Sequence, residues 1–351
     1  MKFEKYQIRV SSVLYIGQYS EGTTSRMRAD VLGKLLSNSN FHIIDTNQPF
    51  NSTSRLIRSI GFRYKLGPLI RRLNKYIVDS LPEENQEIIW VDKAVFITEK
   101  TTQLLRSKTK KLIHFTPDPA FAFHRSMHFF HSVKYYDFLV TTKSYELLEY
   151  LNHSAADKII LTTQGFNHEL HTSSIDFSDK KPGVIFIGHF ERERGEICQS
   201  ILEAGINLTI AGRGWSKFSK KNADNSWYEY LGKGVYSDKY AYALSSYQFS
   251  LGFLSKWIPE KHTTRTFEIP ACGTALLTER NEETSSFFTE EEAIFYDSTT
   301  DLIQKIKYHQ DNIDKLRVLT EKGRAKVIER GFDYHSIIKG LLKQIYANTG
   351  K

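Results

Sequence analysis

Short runs of apolar and β-branched residues alternate with amphipathic stretches along this chain, and most of the runs end in a polar loop. In the N-terminal half the predicted strands are Arg9 to Ile16, Phe41 to Asp45, Glu87 to Val91, Lys111 to Phe115, Asp137 to Thr141 and Lys158 to Thr162. The pattern restarts after a Lys-Lys-Pro-Gly sequence, with predicted strands at Val184 to Ile187, Asn207 to Ala211, Tyr247 to Leu254 and Ala275 to Thr278. Alternating strands and helices are typical of parallel sheets that carry helices on both faces. We therefore expect an α/β fold of two doubly wound domains.

Length and composition leave room for two such domains. The chain has 351 residues, of which 40% are hydrophobic, which is enough for two packed cores. No apolar run approaches ~18 residues, so we expect no membrane-spanning helix. The segment Met1 to Ser11 is charged and lacks an apolar signal core. Two cysteines on predicted helices suit a reducing compartment, and we expect a cytoplasmic protein.

The positive charge is confined to one half of the chain. Residues 1–165 contain 23 Lys and Arg against 15 Asp and Glu, whereas residues 166–351 contain 25 of each. Basic surfaces attract phosphate-rich partners such as anionic membranes, nucleic acids and polyphosphates. No recognised nucleic-acid-binding motif is present, so we expect no specific nucleic-acid partner.

Seven of these cations fall within residues 51–80, against one acid, Asp79. Apolar residues recur there at helical spacing, at Leu66, Leu69, Ile70, Leu73 and Ile77. Such a helix either lies on an anionic membrane or faces the core with a solvated basic side. The sequence leaves both interpretations open, and the first predicts a protein peripheral to the inner membrane face.

The stretch Ser255 to Arg280 contains the polar residues that most clearly predict a ligand site. It follows a predicted buried strand and supplies a polar loop, a short helix and another strand. Thr263, Thr264 and Arg265 lie where the helix should begin, and a helix start with a neighbouring arginine suits phosphate oxygens. Glu268, one turn inside, is placed to accept hydrogen bonds from a ribose diol. The alternative is a threonine-capped helix with solvated charges.

This stretch also carries a family resemblance. Glu260 and Glu268 are separated by seven residues and precede an Ala-Cys-Gly turn, which resembles the donor-site signature of family 4-type GT-B glycosyltransferases. The run RTFEIPACGTALLTE is similar to the CgeB-like, spore-maturation type of glycosyltransferase. The resemblance implies two Rossmann-like domains facing across a cleft, with a nucleotide-diphosphate sugar as substrate and no further cofactor.

The resemblance also implies a domain organisation. We expect an N-terminal Rossmann-like acceptor domain over residues 1–165, an interdomain linker over 166–182 and a C-terminal Rossmann-like donor domain over 183–333. The terminal helix, residues 334–351, should return to the N-terminal domain.

Several residues that follow predicted strand ends are candidates for donor binding. Arginines at one sheet edge match the charge of a diphosphate leaving group, and the family commonly places the nucleotide base near the loop that contains Tyr236. The expected donor contacts are Gly17, Gly188, Arg192, Gly212, Arg213, Tyr236, Thr263, Thr264, Arg265 and Glu268.

A Pro-broken aromatic loop, HFTPDPAFAFHRSMHFF, resembles an acceptor-facing loop. The related family often has an acidic pair before the proline, and here Pro117 leaves Asp118 alone. Acceptor contacts are expected from Thr23, Arg26 and His128, and catalytic roles from Asp118, His124 and Glu260. Resemblance implies retention at the anomeric carbon; an inverting enzyme needs a base, for which Asp118 or His124 is the candidate.

The sequence thus predicts sugar transfer from a nucleotide-sugar to the hydroxyl of a glycan, lipid-linked or protein acceptor. No Asp-x-Asp occurs in the chain, so we expect no metal site and metal-independent transfer. A nucleotide-sugar 2-epimerase of the same architecture and a non-catalytic glycan- or nucleotide-binding subunit remain alternatives.

Overall fold

The computed structural model describes residues 9–122 and 125–347, and it divides the chain into two compact units. The first unit comprises Met1–Thr163 together with Tyr334–Lys351, and the second comprises Gln164–Asp333. Each contains a parallel sheet, which confirms the predicted α/β fold class.

Helices cover both faces of these sheets. In the described residues they are α1 (Thr24–Leu35), α2 (Asn47–Asn51), α3 (Arg55–Tyr64), α4 (Pro68–Asp79), α5 (Glu99–Ser107), α6 (Met127–Ser132), α7 (Leu147–His153), α8 (Arg192–Glu203), α9 (Ser216–Lys221), α10 (Ser237–Ser245), α11 (Arg265–Ala271), α12 (Glu282–Phe287), α13 (Thr299–Asp311), α14 (Ile313–Glu329) and α15 (Tyr334–Ala347). Within this part of the chain, none is long and apolar enough to cross a membrane.

The first sheet is parallel throughout and has the order β2-β1-β3-β4-β5-β6. Its strands are β1 (Ser12–Gly17), β2 (Asn40–Asp45), β3 (Gln86–Asp92), β4 (Thr109–Thr116), β5 (Phe138–Thr141) and β6 (Ile159–Leu161). Helix α15 packs on α1, where Ile338 and Leu341 share a core with Ala29 and Leu32.

The second sheet, also parallel, has the order β12-β11-β10-β7-β8-β9. Its strands are β7 (Lys181–Ile187), β8 (Leu208–Ala211), β9 (Tyr228–Tyr230), β10 (Tyr247–Leu251), β11 (Ala275–Glu279) and β12 (Ile294–Tyr296). The chain winds outward in both directions from β7 and β10, so these central strands form a topological switch point. Open α/β sheets bind their ligands at the carboxyl ends of strands at such a point.

The predicted strands are all observed, with ends shifted by a few residues, and two further strands, β9 and β12, were not predicted. Helices α13 and α14 follow one another and meet at Asn312. In the segment expected as a linker, Phe166 pairs with Asp333 in a β-bridge within the second unit.

The apolar stripe of α4 faces the core. Leu69, Ile70, Leu73 and Ile77 are all at most 4% exposed. Of the two interpretations of this stripe, the core-facing one is therefore observed, and any contact of this region with a membrane must use another surface.

Candidate functional site

The loops that follow β7 and β8 touch through their backbones. Gly188 donates its N–H to the carbonyl of Ala211 (2.9 Å) and accepts a hydrogen bond from Trp215 Nε1 (2.9 Å). Gly212 has a φ of +147°, and a Cβ at this position would lie 1.9 Å from the carbonyl oxygen of Gly188. Only glycine fits there, so the two loops are locked together at the sheet edge.

Phe190 fixes the backbone that carries Arg213. Its N–H donates to the carbonyl of Arg213 (2.9 Å), and its ring meets Trp215 edge-on at 5.0 Å. The same ring leaves no room for a Cβ at Gly195. Arg213 therefore stands on a rigid turn with an exposed side chain.

Three arginines converge on this edge. Partial desolvation lowers the pKa of His189, and the positive charges of three guanidinium groups lower it further, those of Arg213, Arg265 and Arg194. Arg194 and Arg265 lie over the same ring, with guanidinium carbons 5.8 and 5.9 Å from the centre of Phe186. We call Arg194, Arg213 and Arg265 the arginine cluster.

Arg194 is buried and held in place. It pairs with Glu191 (Nη2 to Oε1, 2.7 Å) and donates from Nη1 to the carbonyl of His189 (3.0 Å). Burial lowers its pKa, and repulsion from Arg265 lowers it further. In the described part of the chain, no group accepts a hydrogen bond from the buried Nε of Arg265. An anion bound here would relieve the repulsion and satisfy that nitrogen.

Glu260 and Glu191 organise the loop after β10. The half-buried Glu260 accepts a hydrogen bond from the backbone N–H of Ser255 (3.1 Å), and Glu191 accepts from the N–H of Lys256 (3.3 Å). The negative charge of Glu260 also acts on Arg194. Glu260 thus lies beside the arginine cluster, within the loop that approaches it.

Helix α11 begins at Arg265, within the short stretch where the sequence predicts its start. Its N-cap residue, Thr264, makes no side-chain capping bond, so the threonine-capped alternative is not observed. Thr263 is buried; its N–H donates to Thr266 Oγ1 (3.0 Å), and its own hydroxyl lacks a hydrogen-bond partner in the described residues. The start of α11 therefore holds a buried hydroxyl that is still able to form a hydrogen bond.

Glu268 lies one turn into α11 and is only 5% exposed. Tyr240 Oη donates to its Oε2 (2.7 Å), and His171 Nε2 is 3.9 Å from its Oε1. Because His171 Nδ1 accepts from the N–H of Asn167 (3.1 Å), the neutral ring carries its proton on Nε2, on the side of Glu268. Burial lowers the pKa of His171, against the opposing charge of Glu268. One oxygen of Glu268 is thus tied to Tyr240, and His171 polarises the other.

Two expected donor residues lie apart from these groups. Arg192, at the first position of α8, is 86% exposed in its side chain and pairs with Glu196 (2.9 Å). Tyr236 is exposed at the start of α10, and Gly234 leaves room for its hydroxyl.

In the first unit, Gly17 covers a buried polar network that the sequence did not reveal. Arg28 forms a two-point ion pair with Asp92 (2.8 and 3.0 Å), and Tyr15 Oη donates to the same carboxylate (2.8 Å). A Cβ at Gly17 would lie 2.9 Å from both Asp92 Cβ and Ser25 Oγ. Despite the desolvation cost, Asp92 holds the pKa of Arg28 above its usual value. Gly17 therefore has a structural reason to be glycine.

Among the other first-unit candidates, Asp118 pairs with Lys93 (2.7 Å), a non-glycine residue with a φ of +63°. The loop after β4 is held by Glu146, whose buried carboxylate accepts backbone N–H groups of residues 120–122 at 2.7 to 3.1 Å. His124 lies outside the described residues.

The three expected acceptor contacts already have structural partners. The hydroxyl of Thr23 caps α1 by accepting from the N–H of Arg26 (3.3 Å). Arg26 lies 5.0 Å from the ring centre of Tyr19, and His128 Nε2 is 2.8 Å from the carbonyl oxygen of Lys65.

Comparison with known proteins gives one family likeness, which covers less than half of the chain. The sequence model of the family described as glycosyl transferase-like matches residues 192–343, a span that includes α8, the loop after β10 and α11. A search of curated protein sequences gave no match.

Solved structures share the fold along nearly the whole chain. Sucrose-phosphate synthase from Thermosynechococcus elongatus superposes with a TM-score of 0.69 at 15% identity, covering 96% of this chain and 99% of the other. HepE from Anabaena in complex with UDP-glucose gives 0.64 at 12% identity, covering 96% and 99%. A glycosyltransferase from Rickettsia africae gives 0.64 at 12% identity, covering 97% and 99%. The chain therefore has the two-unit α/β fold of GT-B glycosyltransferase structures.

Proposed function

We propose that this protein transfers a sugar from a nucleotide-diphosphate donor to an acceptor hydroxyl. The observation that carries the proposal is the arginine cluster, at the carboxyl edge of the second sheet beside its switch point. Arginines that repel one another are destabilising in the absence of a ligand, and a bound anion offsets this repulsion. The cluster also lies within the segment that matches the glycosyl transferase-like family.

In this proposal the arginine cluster takes the diphosphate. Arg213 and Arg265 contact phosphate oxygens, while the buried Arg194 adds charge from below. Gly188 and Gly212 hold the two loops together, and the donor contacts the backbone of these loops. Negative charge develops on the leaving nucleoside diphosphate during transfer, and fixed cations stabilise it without reorganisation. We accordingly propose that transfer needs no metal ion.

Glu268 takes the ribose, and Thr263 and Thr264 line the start of α11 next to the phosphates. The side of Glu268 that faces His171 is the one left to accept ribose hydroxyls, because Tyr240 occupies the other oxygen. Tyr236 is placed to meet the base. We leave Arg192 out of the donor site, because its side chain is bound to Glu196 at the surface.

We propose retention at the anomeric carbon, with Glu260 next to the transferring sugar. In that mechanism a donor phosphate oxygen takes the acceptor proton, so no enzyme base is needed. If the configuration inverts, Asp118 or His124 is the candidate base. The first unit supplies the acceptor contacts, near Thr23, Arg26 and His128.

Two finer assignments belong to the same proposal. The RTFEIPACG run supports the CgeB-like subtype, and the UDP-glucose in the HepE complex makes UDP-sugars the first donors to try. The positive charge of residues 1–165 supports a peripheral position at an anionic inner membrane face, where a lipid-linked acceptor would be met.

Thermal unfolding in the presence of individual nucleotide-sugars tests the proposal. A donor at 100 times its Kd stabilises the protein by roughly 2.7 kcal/mol. Mass spectrometry of the products then separates the reactions: a glycosylated acceptor plus nucleoside diphosphate indicates transfer, whereas a new nucleotide-sugar formed without acceptor indicates a 2-epimerase. Stabilisation with no product would leave a binding subunit, and no stabilisation by any nucleotide-sugar would refute the proposal.

A further inference from the structure

Helix α3 leaves a row of apolar side chains in contact with solvent. Leu56, Ile60 and Tyr64 follow one another at a spacing of four residues and are 71%, 50% and 61% exposed. Residues four apart lie on the same side of a helix. The row continues past the helix end at Leu66, which is 64% exposed.

The fold does not need this row. Helix α3 packs on α4 through Gly61, the only residue of α3 that is buried. A Cβ at Gly61 would lie 2.7 Å from Leu69 Cβ, so the two helices touch at this glycine. The apolar stripe of α4 then enters the core of the first unit. The apolar row on α3 therefore does not stabilise the described fold by burial, and a contiguous exposed apolar surface marks an interaction site.

The chain segment that contains the row carries only positive charge. No Asp or Glu occurs in residues 46–78, whereas this segment contains seven Lys and Arg. On a helical projection Arg63 falls beside the Leu56–Ile60–Tyr64 row, and Arg55 lies about a quarter-turn from it. The nearest following acid, Asp79, is paired with Lys75 at 2.7 Å. An apolar row bordered by cations is complementary to anionic lipid headgroups over acyl chains.

The position of α3 also fits this partner. The chain reaches it from the carboxyl end of β2 through the short helix α2, and this end of a parallel α/β sheet is the edge that binds ligands. Its C-terminal end is joined to the loop after β4, because His128 Nε2 is 2.8 Å from the carbonyl oxygen of Lys65. That loop is the expected acceptor loop, so α3 lies next to it.

We propose that α3 is an interfacial helix that holds the first unit on an anionic membrane. Leu56, Ile60, Tyr64 and Leu66 enter the boundary between headgroups and acyl chains, and the neighbouring arginines bind lipid phosphates. This assigns membrane contact to α3 and not to the buried stripe of α4. This inference depends on the proposed function only for the biological role of α3, which is to bring the protein to a lipid-linked acceptor.

Flotation with vesicles of phosphatidylcholine alone or mixed with phosphatidylglycerol tests the proposal on the full chain. The protein should bind the anionic vesicles, ignore the neutral ones and be released by salt. Leu56→Ser with Ile60→Ser should weaken binding at least tenfold without changing thermal stability, because both side chains are exposed in the folded protein. The matched control is Leu148→Ser with Leu151→Ser, which removes two exposed leucines from α7 of the same unit and should leave binding unchanged.

Failure of wild-type protein to bind anionic vesicles at low salt would overturn the proposal. So would equal vesicle binding by the α3 variant and its control, since charge alone would then explain attachment. Tight binding of a duplex oligonucleotide by a protein that ignores vesicles would point to nucleic acid instead. Titration of the same proteins with nucleoside diphosphate, without vesicles, keeps the outcomes separate: vesicle binding without nucleotide binding refutes the proposed function and leaves the role of α3 standing.

Discussion

The ribose role of Glu268 can be tested by a change that leaves its surroundings intact. Glu268→Gln keeps the shape of the side chain and an oxygen that accepts the hydrogen bond from Tyr240. Glu268→Ala is a poorer choice, because it leaves the Tyr240 hydroxyl without its hydrogen-bond acceptor. An unsatisfied buried polar group costs about 1–3 kcal/mol of stability. The glutamine variant therefore isolates the loss of charge from the loss of structure.

The expected size of the effect follows from the hydrogen bond that changes. A hydrogen bond to a charged group contributes about 1.5–3 kcal/mol and a neutral one about 0.5–1.5 kcal/mol. The difference, about 1–1.5 kcal/mol, corresponds to roughly a tenfold loss of affinity. Thermal stability should change little, because the Tyr240 contact persists.

Calorimetric titration of wild type and Glu268→Gln with a nucleoside diphosphate and with its 2′,3′-dideoxy analogue measures this directly. The variant should bind the ribonucleotide about tenfold more weakly, while both proteins should bind the analogue with the same affinity. Tyr240→Phe serves as the control, since it removes a neighbouring hydroxyl and leaves the charge, and it should cost less affinity than the glutamine change. Equal ribonucleotide affinity in wild type and a folded Glu268→Gln protein would refute the ribose role.

Three further predictions concern the metal, acid stability and the glycine contact. Transfer should persist in excess EDTA; activity that EDTA abolishes and Mg²⁺ or Mn²⁺ restores would contradict the arginine scheme. Burial lowers the pKa of His114 from 6.5 to about 3, so the unfolded chain binds a proton at a higher pH than the folded protein. The free energy of unfolding should therefore decrease as the pH drops from about 6.5, by about 2 kcal/mol at about pH 5. The free energy of unfolding of His114→Phe should depend less steeply on pH in this range, and an identical dependence would exclude His114 as the cause. Gly212→Ala should abolish nucleotide binding or unfold the second unit. Gly340→Ala is the control and should be tolerated, because there is open space around Gly340. Normal nucleotide binding by Gly212→Ala would show that the loops after β7 and β8 need not touch.

Strand and helix order could be predicted from the sequence because both sheets are parallel and their central strands are buried, so that these strands are nearly continuous apolar runs. The three-residue strands β9 and β12 were not predicted, whereas the equally short β6 was, because it lies in the apolar run Ile159–Leu161. The two interpretations of residues 66–77 could not be separated by periodicity, since a helix that faces a core and one that faces a membrane have the same apolar spacing.

The site was predictable only where its residues are close in sequence. Arg265 and Glu268 stand in one short motif, and both lie at the edge that the motif suggested. His171 and Tyr240 lie close to Glu268 in the fold but 97 and 28 residues from it in the sequence. No local sequence pattern predicts such partners. Arg194 and Arg192 differ by two positions on one helix, which turns one inward and leaves the other at the surface. That difference depends on what α8 packs against.

Nucleoside diphosphate release is the measurement that tests the central claim most directly. It should be followed with the nucleotide-sugar that stabilises the protein best and a lipid extract as acceptor, for wild type, Arg265→Gln and Arg192→Gln. The account predicts acceptor-dependent release that falls roughly ten- to a hundredfold in Arg265→Gln, the loss of a charge-assisted hydrogen bond, and stays near wild type in Arg192→Gln. Equal release by all three proteins, or no release from any nucleotide-sugar that binds, would contradict it.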